Sequence, residues 1–273
     1  MVDNFYILQW WDFLSLILII IIGIPHGAFD VAVGTSIGML NNYKSKLLFI
    51  ILYILISIFV LISWYFFPVI TLITFLIASV FHFGLGDTEY KKNFNYLIDG
   101  FISGSIIIFG ISLFHQNDVN KIYTILVNGE TSLVWNVIYF CSILSILMFF
   151  YILLNSLKLF IKLFKRSIIL LILFFFLPPL VSFSIYFCFI HTFNHVKRVY
   201  PTLLEIFDKK VILRSFIFYT LITWIIGVIV FIALFQSFTI TETLLRIIFI
   251  GLAALTFPHM FLVDFLFRPK KEV

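Results

Sequence analysis

The sequence predicts an all-α fold: a polytopic helical membrane protein with about seven spans plus a proline-broken helical hairpin near 167–196. Three observations carry this. The 273 residues are 63% hydrophobic and only 11% charged, with a mean hydropathy of +1.17, far more apolar than a soluble domain. The apolar runs are continuous rather than alternating, which excludes a transmembrane β-barrel. They also recur at about the 20 residues that a helix needs to cross a bilayer.

In chain order the apolar runs fall at about 13–33, 47–67, 69–85, 96–114, 133–157, 213–236 and 243–266. Pro25 is expected to kink the first and free backbone groups near His26. Gly23 and Gly27, on either side, allow helices to approach closely. The run 167–196 has another character. As one helix its 30 residues would extend about 45 Å, longer than a bilayer core of about 30 Å. Pro178-Pro179 interrupts it, and consecutive prolines do not continue a helix. It reads either as one span or as a hairpin that returns to the side it entered.

Basic residues separate these readings. With a hairpin, sixteen Lys and Arg lie on one face, from Lys44 and Lys46 to Arg268, Lys270 and Lys271, leaving Lys121 and Arg246 opposite. With a single span the division is nine against nine. The bias of Lys and Arg toward cytoplasmic loops favours the hairpin. The expected placement is multi-pass in the cell (inner) membrane, N-terminus outside and C-terminus cytoplasmic. The net charge of +5 is then a topology signal, with no nucleic acid partner implied. The connections at 115–131 and 197–212 are short, so residues 1–273 read as a single integral-membrane domain. No cleavable signal is expected, since Asp3 and Asp12 and no basic residue precede the first apolar core. Cys141 and Cys188 lie in apolar runs and read as packing residues. The 37 Phe suit lipid contact first and a long apolar ligand second.

The chemistry is expected in the histidines. His191 and His195 are four apart and share a helix face, so one metal ion can be held from two adjacent turns. His26, His82 and His259 each end another apolar run. Under the hairpin topology all five lie toward the cytoplasmic ends of their segments, at one depth. A histidine in a membrane span is expensive without a partner. The plain alternative, an interfacial ring with one hydrogen bond, suits His115 in its polar setting. It suits four buried rings poorly. His26, His82, His191 and His195 are therefore the expected metal ligands. Asp30, Asp87, Asn194 and His259 are expected behind them, because a metal-bound imidazole usually donates its other N–H to an acceptor. Asp30 follows His26 by four residues and Asp87 follows His82 by five. Asp264 follows His259 by five. His259 itself stays open between ligand, support and bystander. Imidazole ligation suits zinc, copper, iron or nickel, and spacing does not choose among them.

Other classes fit less well. Membrane di-iron desaturases use about eight His in several boxes, and six are present here. A rhodopsin needs a membrane-embedded Lys for its Schiff base, whereas every Lys here lies in a loop or at a segment end. A carotenoid- or retinal-binding protein, or a His-based metal or haem protein that is not an enzyme, is the alternative.

The motifs resemble a known family. Pro25-His26-Gly27-Ala28-Phe29-Asp30, His82-Phe83-Gly84-Leu85-Gly86-Asp87, His191-Thr192-Phe193-Asn194-His195 and Pro258-His259 are similar, in order and over nearly the whole chain, to the Brp/Blh membrane β-carotene 15,15′-dioxygenases. The resemblance implies oxidative cleavage of β-carotene at its central double bond to two all-trans-retinal, with Fe(II) and O2. It implies four His ligands, here His26, His82, His191 and His195. It also implies retinal supply to a microbial rhodopsin. A substrate that partitions into the lipid bilayer would enter laterally, and Phe29, Phe81, Phe83, Phe189 and Phe193 are candidates to line its tunnel. Positioning beside the metal suffices for regiochemistry, so no catalytic residue beyond the ligands is expected.

Overall fold

A computed structural model describes residues 7–86, 88 and 94–268. They form helices, with no strand among them. Seven are long and apolar enough to span a membrane: α1 (Trp10–Ser36), α2 (Tyr43–Phe66), α3 (Pro68–Gly86), α4 (Phe94–Phe114), α6 (Ser132–Asn155), α9 (Lys209–Leu234) and α10 (Ile240–Phe267). Between them lie a short α5 (Gln116–Val127), α7 (Leu157–Phe176) and a composite α8. The last runs from Pro179–Ile185 through a π turn, Tyr186–His191, into Thr192–Leu204.

Local chemistry sets the ends. Asn42 caps α2 by accepting from the Ser45 amide at 2.9 Å. Thr239 and Glu242 form a reciprocal capping box at the start of α10, satisfying donors that a helix N-terminus leaves free. Helix α5 stops at Asn128, whose φ of 53° is left-handed, a conformation Asn tolerates better than most residues.

The hairpin is present. Arg166 on α7 pairs with Asp99 near the start of α4 at 2.6 Å. At the other end, His115, just past α4, meets the Phe174 carbonyl at 2.7 Å. Helices α4 and α7 therefore run side by side in one direction. Pro178 breaks the chain and Pro179 occupies the first turn of α8, where the missing N–H is no loss. Helix α8 then carries His191 and His195 back. The arms are longer than the apolar run 167–196. Lys158, Lys162 and Lys165 lie within α7, because long basic side chains reach polar surroundings without ending a helix.

Helices α3 and α4 form the centre. Gly84, Gly100 and Gly104 bring their backbones together. A Cβ on Gly84 would collide with the Gly100 carbonyl, and one on Gly104 with the Val80 carbonyl. Helices α2 and α9 are mostly exposed along their lengths, as lipid-facing helices are.

Two hydrophobic clusters meet at the histidines. Ile19, Val80, Phe187 and Leu252, which precede the histidines on α1, α3, α8 and α10, belong to the larger. Phe29, Val33, Val199, Leu203 and Leu262, which follow them on α1, α8 and α10, belong to the smaller. The imidazoles occupy the seam.

Candidate metal centre

Three of the four helices that bring a histidine change their winding near it. On α1, a π turn over Ile19–Gly23 runs into a 3-10 turn over Ile24–Phe29. Pro25 cannot donate to the preceding turn, so regular α geometry fails there. On α8 the π turn ends at His191 itself. On α10, Pro258 precedes His259 and a π turn occupies Phe261–Phe267. Single π turns re-aim side chains and recur at functional sites. Helix α3 stays regular but ends four residues after His82, at Gly86.

Five imidazoles converge. His26, His82, His191, His195 and His259 are all at most 8% exposed. The ring centroids of His26 lie 5.5, 5.3 and 5.0 Å from those of His191, His195 and His259. Those of His82 lie 4.8 and 5.2 Å from His191 and His259. His195 and His259 are 5.0 Å apart. Ligand-capable nitrogens of His26, His82 and His259 fall within 4.8 Å of one another. Among the described residues, this is the one group of three or more His, Cys, Asp or Glu side chains close enough to share an ion. His115 lies apart, on the Phe174 carbonyl.

The outer ring nitrogens fix the tautomers. His26 Nδ1 faces the Gly23 carbonyl oxygen, which only accepts, so Nδ1 carries the proton. His82 Nδ1 donates to Asp264 at 2.7 Å. His259 Nδ1 donates to Asp30 at 2.8 Å, and Tyr53 donates to the other Asp30 oxygen at 2.9 Å. In each ring Nε2 is left as the lone-pair nitrogen. The Nε2 atoms of His191, His195 and His259 are buried without a hydrogen-bond partner among the described residues. A buried polar atom left unpaired costs about 1–3 kcal/mol. Three such atoms, beside two further rings whose outer nitrogens are held by a carbonyl and a carboxylate, match a cation site.

The pairing differs from the sequence expectation. Asp30 supports His259 on α10, not His26 on its own helix. The four-residue rule assumes α geometry, and the 3-10 turn between His26 and Asp30 breaks it. Asp87 lies outside the described residues, and the carboxylate on His82 is Asp264. Asn194 is half-buried on the turn between His191 and His195. Of the aromatic candidates, Phe29 and Phe83 are buried, whereas Phe189 and Phe193 are 53% and 63% exposed and face outward. They turn away because their own helix presents its other side to the cluster.

A small cavity of about 10 Å3 opens among His82, Gly86, His191, His195, Arg198, Val263 and Asp264. That is about the space of one water molecule. Two arginines close the end of α3 beside it. Arg198 donates to the Gly86 carbonyl, and Arg268, 1% exposed, donates to the carbonyls of Leu85 and Thr88. A cation at a helix C-terminus is favourable. These arginines therefore hold the turn that follows His82, in addition to marking a loop as basic.

Asp264 was visible in the sequence as an acid inside an apolar run, which by default marks a functional position in a membrane helix. Tyr53 gave no signal: it is one hydroxyl in a long apolar helix.

Comparison with known proteins fits this geometry. The family model for β-carotene 15,15′-dioxygenase matches residues 17–267. The chain belongs to this family of enzymes. A β-carotene 15,15′-dioxygenase from uncultured marine bacterium 66A03 is 34% identical over 267 residues, spanning 94% of each chain. No solved structure matches. The match to the β-carotene 15,15′-dioxygenase family spans the positions of all five clustered histidines.

Proposed function

We propose that this enzyme cleaves β-carotene at its central 15,15′ double bond, using Fe(II) and O2, to give two molecules of all-trans-retinal. One observation carries the reading: imidazoles from separate helices gather at one buried point in a chain of the β-carotene 15,15′-dioxygenase family. His26, His82, His191 and His195 would hold the iron through Nε2. Bound iron supplies the site at which dioxygen is activated beside the alkene. Imidazole also suits zinc and copper; the dioxygenase relationship favours iron.

The side chains divide the work. Gly23 and Asp264 hold the protons on the outer nitrogens of His26 and His82, which keeps the inner lone pairs directed at the ion. The apolar clusters on either side exclude bulk water. The cavity beside His82, His191 and His195 has room for about one water-sized molecule. It is far too small for a forty-carbon polyene. The polyene therefore does not fit in this cavity and would have to approach the histidines from the bilayer across the apolar side chains around them. No side chain at the cluster is needed as a general base, since positioning beside the metal sets which double bond reacts. One carotene and one O2 balance two aldehydes.

The histidine-bearing ends of α1, α3, α8 and α10 would lie toward the cytoplasm of the cell (inner) membrane. Lys44, Lys158, Lys197 and Lys209 at the same end support this through the basic bias of cytoplasmic loops. The retinal would supply a microbial rhodopsin.

The test is expression in bacteria that accumulate β-carotene. Loss of orange colour with appearance of retinal is expected. His191→Ala or His195→Ala should abolish both. Full cleavage by either variant would refute the four-ligand site, and cleavage products of other lengths would refute central regiochemistry.

A further inference from the structure

We propose that His259 is a fifth ligand to the same ion, held in place by Asp30 and Tyr53. This rests on the metal-site reading above and extends it. A ring that merely supports another ligand would donate to it or accept from it. His259 does neither. Its Nδ1 is committed to Asp30 at 2.8 Å, and its Nε2 is buried with no partner among the described residues. Its ring stands 5.0 Å from His26, 5.2 Å from His82 and 5.0 Å from His195. With His26 and His82 it makes the tightest group of potential ligand atoms among the described residues.

The support behind it is also that of a ligand. Asp30 accepts from His259 with one oxygen and from Tyr53 with the other. The Tyr53 hydroxyl also reaches the Leu255 carbonyl at 3.4 Å, one turn before His259 on the same helix. Three helices, α1, α2 and α10, thus meet to fix one imidazole. A carboxylate on the outer nitrogen orients a metal-bound ring and raises its basicity. His82 has the same arrangement through Asp264. Two of the other rings, His82 and His191, line the small cavity.

The experiment uses the full-length protein in detergent, freed of metal and titrated with Co(II) alone. Uptake and the ligand-field absorption bands are read for the unaltered chain, His259→Ala, His259→Gln and Asp30→Asn. One Co(II) per chain is expected for the unaltered protein. His259→Ala should bind at least about tenfold more weakly, with shifted bands. Added imidazole should restore both, because it can occupy the space left by the ring. Asp30→Asn should weaken binding and keep the band pattern. If His259→Ala does not accumulate as folded protein, His259→Gln answers instead, since glutamine fills the space without an imidazole. Superimposable bands and unchanged affinity in the His259 variants would overturn this proposal and leave the four-histidine site standing. Absence of Co(II) uptake by the unaltered chain would overturn the metal site itself.

Discussion

Alanine at Gly104 should loosen the protein and its metal site together. Helices α3 and α4 touch backbone to backbone at three glycines, and a methyl group on Gly104 would collide with the Val80 carbonyl and its Cα. Both obstacles are main chain, so no rotamer change relieves them; α3 or α4 must shift. Forcing a methyl group into a filled interface costs about 1–3 kcal/mol. At roughly 2 °C per kcal/mol for a chain of this size, the unfolding midpoint should fall by about 2–6 °C. Helix α3 carries His82 two residues beyond Val80, so the same shift displaces a ligand. Metal affinity should fall by about tenfold, the lower end of what a misplaced supporting group costs. Gly227→Ala and Gly251→Ala are the controls, because nothing lies within 4 Å of a Cβ at either position. There alanine should be neutral or stabilise by up to about 1 kcal/mol through helix propensity. Thermal unfolding in detergent, with and without metal, reads both effects. A Gly104→Ala midpoint equal to that of Gly227→Ala would refute the close packing, and an unchanged metal affinity would uncouple it from the site.

Asp264→Ala should lower metal affinity by about 10–100-fold, since the outer nitrogen of His82 loses its acceptor; chelator competition measures it, and an unchanged affinity would remove Asp264 from the site. Arg268→Gln should lower thermal stability by about 1–3 kcal/mol, because it removes a charged donor from the buried carbonyls of Leu85 and Thr88; a midpoint within error of the unaltered chain would contradict the clamp. His115→Ala should leave metal content and retinal formation unchanged, because its ring serves the Phe174 carbonyl; loss of metal would place it in the centre.

Whatever depends on burial and length was readable from residues alone. Continuous apolar runs located the spans. Pro178-Pro179 together with the Lys and Arg distribution was enough to choose a returning hairpin, and with it the meeting of His26, His82, His191, His195 and His259 at one end of the bundle. The glycine contact was not expected: close approach was placed at Gly23 and Gly27, yet Gly23 meets only the Phe187 side chain and nothing lies within 4 Å of a Cβ at Gly27, whereas the backbones meet at Gly84, Gly100 and Gly104. Partners of individual rings were not readable, and the reason is geometric. Predicting that Asp30 faces His26 assumes 100° per residue. A 3-10 turn advances about 120° per residue, so four residues across one no longer return to the same face.

The departures from α geometry explain how one polar layer can sit inside an apolar bundle. Regular helices crossing at shallow angles present each other with side chains from rows three and four apart. Five inward imidazoles at one level would need such rows to coincide on four helices. Three of the four helices avoid that requirement by changing their winding at the histidine: Ile19–Gly23 and Ile24–Phe29 on α1, Tyr186–His191 on α8, and Phe261–Phe267 on α10. Each change rotates everything beyond it relative to what precedes it. That rotation lets residues before the histidines pack in one cluster and residues after them pack in another. On α10, the turn beyond His259 is also what brings Asp264 round to His82. The winding changes, more than the identity of the flanking residues, therefore determine which carboxylate serves which ring.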